Sequence, residues 1–333
     1  MREKWSRIEA RLEPKSSSVE ALAQRAFPGA KIIAVESVLG GLVNTNFRLD
    51  LSTALGRRQV LLRYWQRNGE QAAKETALLN LVATRVPVPM VLASGDADPD
   101  FGLPYAFIEW IAGERLELVA QRIEGPSLMA LGREVGAALA AIHGFRFDKQ
   151  GFFGADFVVP TVLDTSLEGL LEWLDKCLRQ GPGGERIGAA LTDELFTFVE
   201  REGHLMNSAW STQPCLTHSD FNGSNILVQE EAGGAWRVAA ILDWEYAFAG
   251  GPSYDFGNLL RPPLGDLAAF ISGVTDGYQS SGGDLPKGWR EASRVADLFS
   301  WVDFLSQPHC GEEVIKSARS MITRLIKGDA GTP

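Results

Sequence analysis

The stretch from Leu216 to Asn258 constrains this chain more than any other. It reads Leu-Thr-His-Ser-Asp-Phe-Asn-Gly-Ser-Asn-Ile-Leu-Val, then a polar turn with Gly233-Gly234, then Val-Ala-Ala-Ile-Leu-Asp-Trp-Glu-Tyr-Ala-Phe-Ala-Gly-Gly-Pro-Ser-Tyr-Asp-Phe-Gly-Asn. The apolar runs Ile226–Val228 and Val238–Leu242 predict two short strands joined by the glycine turn. His218, Asp220 and Asn225 precede the first strand, and Asp243 leaves the second. Singly, Asp220, Asn222 and Asn225 are ordinary turn formers. Their joint spacing sets an amide and two carboxylates around one hairpin, a set of hard oxygens suited to a divalent cation.

His218, Asp220 and Asn225 fit H-x-D-x-x-x-x-N, the spacing of the protein-kinase catalytic loop. Phosphoryl transfer asks the protein to position reactants and neutralise phosphate oxygens, so it needs metal ligands and an acceptor beside the attacking hydroxyl. Thr-His-Ser-Asp-Phe-Asn-Gly-Ser-Asn-Ile-Leu-Val and Ile-Leu-Asp-Trp-Glu-Tyr-Ala resemble the signature of the aminoglycoside phosphotransferase and choline kinase superfamily. The resemblance implies an α+β, protein-kinase-like fold of two lobes: a small N-terminal antiparallel sheet and a larger, mainly helical C-terminal lobe. It further implies Asp220 as the catalytic acceptor, Asn225 and Asp243 as Mg2+ ligands, and ATP or GTP as phosphate donor. His218 would fix the loop, and Asp255 would either brace that loop or cap the helix it opens.

The residues before this segment read as the small lobe. Residues 1–30 are expected to be a helical extension, with Ser18 as N-cap, Ala21, Leu22 and Phe27 along one face, and Pro28-Gly29 as its end. Strands are predicted at Ile32–Val38, Asn46–Leu51 and Gln59–Trp65. Gly40 and Gly41 lie between the first two, where backbone N–H groups can approach phosphates without a Cβ in the way. Alternation puts Leu61, Arg63 and Trp65 on one face, so Arg63 needs a partner there, and Glu75 on the following helix supplies it, with Glu70 as fallback. Kinases pair a strand Lys with a helix Glu over the α- and β-phosphates. Here the strand carries Arg, which resembles several branches of the superfamily. Tyr105–Glu109 is an apolar strand running into Gly113, and the resemblance makes it the hinge, with backbone around Glu109 and Ile111 reading the adenine. The lobes are therefore drawn as 31–110 and 111–333.

The second lobe is expected to be helical. Leu128, Leu131, Val135, Leu139 and Ile142 recur at helical steps up to His143-Gly144, where His143 is a helix-end or core residue. Residues 165–180 and 190–206 give two more helices around Gly181-Pro182-Gly183-Gly184, a flexible insertion, and Glu312–Lys327 a closing one. The acids Asp266, Asp276, Asp284, Glu291, Asp297 and Asp303 either face solvent or line a pocket for an amine-bearing acceptor.

Formal net charge is -10, which argues against a nucleic-acid partner. No window approaches the length of a membrane span, and three scattered cysteines, Cys177, Cys215 and Cys310, fit a cytoplasmic protein. A protein kinase is disfavoured: Ser219 replaces the loop Arg, Trp244-Glu245 replaces Phe-Gly, and the Ala-Pro-Glu segment is missing. The function expected is ATP-dependent phosphoryl transfer to a small-molecule hydroxyl, an aminoglycoside-like antibiotic in the leading reading. A choline-like amine or sugar kinase is the alternative, and a kinase-like nucleotide binder without catalysis, or a hydrolase using Asp220 and Asp243, are the rivals from other classes. Glu245 could orient metal water or substrate, or simply face solvent.

Overall fold

The apolar alternation of the N-terminal third builds a twisted sheet. The computed structural model describes residues 9–38, 43–67, 69–208, 213–308 and 310–328. Helix α1, Ser16–Ala26, leads into β1, Lys31–Val38, β2, Thr45–Thr53, and β3, Gly56–Tyr64. Helix α2, Gly69–Val82, then precedes β4, Val91–Gly95, and β5, Tyr105–Glu109. The five strands pair antiparallel in the order β1-β2-β3-β5-β4. Leu49, Leu51, Val60, Leu62 and Phe107 bury one face of the sheet against Val19, Leu22 and Ala23 of α1. Trp65, Ala72, Ala106 and Ile108 close the other face beneath α2.

Two expectations for α1 need correction. Ser18 is inside the helix rather than at its cap, and Ala21 is exposed. The carboxylate of Asp100 accepts the Lys15 N–H at 2.8 Å and the Ser18 hydroxyl at 2.8 Å, so a loop some eighty residues away ties the start of the helix. Trp65 falls one residue beyond β3, although its ring stays on the expected side of the sheet. Gly40 and Gly41 lie outside the described residues.

After Glu109 the chain turns helical. The short strand β6, Glu114–Arg115, and helix α3, Leu116–Val119, lead into α4, Gly125–His143. Helix α5, Leu167–Asp175, continues into a π-helical turn at Lys176–Gln180, followed by α6, Gly183–Ile187, α7, Ala189–Glu202, and α8, Leu205–Ser208. The glycine-rich stretch before α7 is packed and not a loose insertion. A Cβ on Gly183 would lie 2.7 Å from the Leu178 side chain, and one on Gly184 2.3 Å from the Leu178 carbonyl oxygen.

The central segment supplies β7, Cys215–Thr217, β8, Ile226–Glu230, β9, Trp236–Ile241, and β10, Phe248–Gly250. Strands β7 and β10 pair with each other, while β8 joins β6 and β9. Helices α9, Pro252–Leu259, α10, Ala268–Ser280, α11, Trp289–Ser306, and α12, Glu312–Lys327, complete the lobe. No helix among the described residues is long and apolar enough to cross a membrane, and all three cysteines are free thiols.

Helices α4 and α10 meet through a seam of glycines. A Cβ on Gly132 would stand 2.5 Å from the Phe270 carbonyl oxygen, and one on Gly136 2.1 Å from that of Val274. In return, a Cβ on Gly273 would stand 2.1 Å from the Met129 oxygen and one on Gly277 2.1 Å from that of Arg133. Backbone lies on backbone here, so no side chain can yield. Gly136→Ala and Gly277→Ala should therefore each lower stability by about 1–3 kcal/mol, the usual cost of overpacking a filled interior. Denaturant unfolding measures this, and an unchanged midpoint in either variant would show that the helices can separate freely.

Candidate active site

The loop between β7 and β8 owes its shape to one buried carboxylate. Asp255, in the first turns of α9 and fully buried, accepts the backbone N–H of His218 at 2.9 Å and of Ser219 at 2.8 Å. His143, at the end of α4, places Nε2 3.1 Å from the same carboxylate, and its Nδ1 is 2.9 Å from the Tyr278 hydroxyl. Because a carboxylate only accepts, Nε2 carries the proton and Tyr278 donates to Nδ1. No side chain caps α9, so Asp255 is committed to the loop and not to its own helix. Ser219 adopts φ +67°, a left-handed conformation disfavoured by about 1–2 kcal/mol for a non-glycine residue. The two bonds from Asp255 hold it there.

His218 is fully buried. Its Nδ1 accepts the Asp220 N–H at 3.2 Å, which leaves Nε2 as the donor to the Leu242 carbonyl at 2.9 Å. The ring thus ties the loop to the end of β9. Asp220 is held from both sides: Asn222 Nδ2 donates to Oδ1 at 2.8 Å, and Asn225 Nδ2 donates to Oδ2 at 2.8 Å. Asn225 uses its amide nitrogen in this way and keeps its amide oxygen as the group suited to a cation. Asp243 follows β9 with φ +59° and begins the 3₁₀ turn Trp244–Tyr246. Its side chain is 48% exposed, the most open carboxylate of the group.

Across the cleft, Arg63 of β3 is buried among three carboxylates. Its guanidinium lies 3.2 Å from Glu75, 3.4 Å from Asp243 and 3.5 Å from Glu245. Burial by itself would lower the pKa of Arg63, but the fields of Glu75, Asp243 and Glu245 outweigh it and hold the cation charged. Glu75, the expected partner, also accepts the Trp65 indole N–H at 2.7 Å. Burial raises the pKa of Glu75 against the opposing pull of Arg63. Glu245 is pushed up to about 7, first by burial, with Asp243, Glu75 and Asp220 adding to the rise and Arg63 opposing it. Asn44 donates to Glu245 at 3.1 Å and Gln71 at 3.4 Å.

These groups line one cavity of about 710 Å³, together with Ile108, Glu109, Trp110 and Ile111 at the end of β5. The N–H of Glu109 already donates to the Met90 carbonyl at 2.8 Å, so that donor is not free to face the cavity. The acids of 262–303 do not line the cavity: Asp266 pairs with Arg324, Asp276 with Arg133 and Asp297 with Arg261. Contacts not foreseen are those of Asn44, Gln71, Trp65 and Asn222, along with His143 in its role behind Asp255. Trp65 and Asn222 had a sequence signal, the one in its strand face and the other inside the loop motif.

No group of three or more His, Cys, Asp or Glu among the described residues is arranged to hold a metal. Mg2+ asks for less, one or two protein carboxylates beside substrate phosphates. The hard oxygens of Asn225 and Asp243 fit that requirement.

A family model described as the phosphotransferase enzyme family matches residues 34–293. Among solved structures, the GDP and kanamycin complex of APH(2")-IIia aligns with TM-score 0.70 and 16% identity over 93% of this chain and 98% of that one. ADP-bound aminoglycoside phosphotransferase APH(2'')-Ib gives 0.59 and 16% over 94% and 99%. Spectinomycin phosphotransferase APH(9)-Ia, with ADP and spectinomycin, gives 0.57 and 12% over 94% and 99%. At these identities the likeness is one of fold, and it is to kinase-like enzymes. No curated protein matches the chain.

The raised pKa of Glu245 has a consequence for stability. Its folded value of about 7 exceeds the ordinary 4.5, so the folded state binds the extra proton. The associated stability is present below about pH 4.5 and lost as pH rises through about 7, amounting to at most about 3 kcal/mol. Measured without Mg2+ or nucleotide, Glu245→Gln should flatten the fall in stability across that window relative to the parent protein. Equal slopes in the two proteins would mean that Glu245 does not titrate there.

Proposed function

The chain belongs to the phosphotransferase enzyme family, and from that premise we propose that it moves the γ-phosphoryl group of ATP or GTP to a hydroxyl of a small molecule. One observation carries the reading: a single cavity brings Asp220, Asn225, Asp243 and Arg63 together, although they come from both halves of the chain. Residues 31–110 would form the nucleotide lobe and 111–333 the catalytic and acceptor lobe, with helix α1 packed on the first.

In this reading the acceptor oxygen attacks the γ-phosphorus, and the bond to the oxygen bridging to the β-phosphate breaks, releasing the nucleoside diphosphate. The hydroxyl proton passes to Asp220. The grip of Asn222 and Asn225 on both Asp220 oxygens supports this role, because a held carboxylate orients the nucleophile without reorganising during the reaction. Mg2+, when bound, would neutralise charge on the phosphate oxygens. Asn225 and Asp243 would hold it, and Glu245 would orient its water. Arg63, set by Glu75, would lie over the α- and β-phosphates.

The neighbours' kanamycin and spectinomycin suggest an antibiotic acceptor, and a smaller metabolite alcohol is the alternative. A pure nucleotide binder is less well supported, since it has no use for a carboxylate held as Asp220 is. We expect Asp220→Asn to lower Mg2+-dependent phosphate transfer by about 10²- to 10⁴-fold while nucleotide affinity is kept. Steady-state kinetics beside nucleotide titration would decide the matter. Transfer at the parental rate in the variant would exclude Asp220 as the proton acceptor.

A further inference from the structure

The acceptor end of the cavity is built around a cation. Beyond Asp220 the wall continues through Arg261, Pro262, Pro263, Leu264, Trp301 and Phe304. Arg261 stacks its guanidinium over the Trp301 ring at 4.7 Å, and its Nε donates to Asp297 Oδ1 at 2.7 Å. The other Asp297 oxygen accepts the Trp301 indole N–H at 3.1 Å. One terminal nitrogen of Arg261 stands 2.6 Å from Asp297 Oδ1, but at an angle that makes no hydrogen bond. Of the five guanidinium N–H groups, only that on Nε is spent on a described residue.

This is how an arginine is prepared for a ligand. A buried carboxylate and an indole face fix its plane, Nε and one buried terminal nitrogen face that carboxylate, and the other terminal nitrogen is the part left for the cavity. The surroundings also decide what the ligand is not. A polyamine needs several carboxylates; of the six that line the cavity, Glu75, Asp243 and Glu245 face Arg63 and Glu109 accepts the Met90 N–H, which leaves Asp220 and Glu117. Asp266, Asp276 and Asp297 are paired with arginines, as described above. Proline, leucine and aromatic side chains make up the rest, so the acceptor's body is apolar.

We propose that the acceptor is a hydroxyl compound with an apolar body and an anionic group, carboxylate or phosphate, read by Arg261. The proposal rests on the phosphotransferase reading and names its substrate class. Arg261 is then a binding residue for the acceptor and takes no part in the phosphoryl step.

The test uses the full chain with Mg-ATP and pairs of alcohols on a shared skeleton, one anionic and one neutral. Mandelate is set against phenylethanediol for the carboxylate, and glycerol phosphate against glycerol for the phosphate, with kanamycin as the polyamine. ADP release above the acceptor-free rate and the melting shift in Mg-ADP are both read. Nucleotide that gives no melting shift at all would sink the phosphotransferase reading itself. With nucleotide bound, the anionic member of at least one pair should surpass its neutral partner by about tenfold or more, the scale of one charge-assisted contact. The pair that responds distinguishes carboxylate from phosphate. Arg261→Gln/Asp297→Asn, which leaves no charge unpaired, should raise the KM for that acceptor to the neutral level with nucleotide affinity unchanged, and Arg261→Lys should keep part of the preference. Preference for kanamycin or the neutral alcohols, the lack of any anion preference, or a preference that survives the double variant would overturn the proposal.

Discussion

The buried carboxylate of Asp255 is the interaction on which the cavity depends. It reaches from α9 to two successive N–H groups of the loop after β7, and so fixes the direction in which Asp220 leaves that loop. A charge with no solvent contact is costly to bury unless every lone pair is used. Here two backbone donors and His143 use them, and Tyr278 holds His143 in turn. The loop between β7 and β8 is therefore anchored to the α4–α10 pair, and its geometry follows from how those helices pack.

Across the cleft the controlling fact is a shortage of positive charge. Arg63 faces Glu75, Asp243 and Glu245. A lysine buried in its place would be driven toward its neutral form by desolvation, whereas guanidinium stays charged and presents several donors in a plane. The guanidinium meets its three partners from a planar fork, a geometry an ammonium does not offer. Burial first, and the excess of carboxylate after it, raise the pKa of Glu245.

Local patterns made part of this readable in the sequence. The spacing His218, Asp220, Asn225 and the hairpin after it are contiguous, and strand alternation was enough to demand a partner for Arg63. The contacts joining distant segments were not readable in that way. Asn44 reaches Glu245 across 201 residues, and Ser18 is tied to Asp100 across 82. No local rule signals such pairs, so Ser18 looked like a cap on propensity alone. Of the acids of 262–303, Asp266, Asp276, Asp284, Glu291 and Asp303 face solvent, whereas the buried Asp297 is paired with Arg261 from the α9–α10 connection, a contact that no local rule signals. Gly181–Gly184 looked flexible because glycine composition cannot tell a loose linker from a close approach, and only the position of Leu178 decides between them.

The glycine seam between α4 and α10 divides the large lobe into a part that can drift and a part that cannot. With carbonyl oxygens of one helix standing where the partner's Cβ atoms would go, there is no side-chain layer in which a substitution on one helix could be answered by one on the other. Arg261, Trp301 and Phe304 stand outside that seam, on the α9–α10 connection and on α11. A descendant of this chain could exchange them, and with them its acceptor, while inheriting the anchored loop unchanged. Substrate choice and chemistry are in this sense separately evolvable, and four residues without side chains keep them apart.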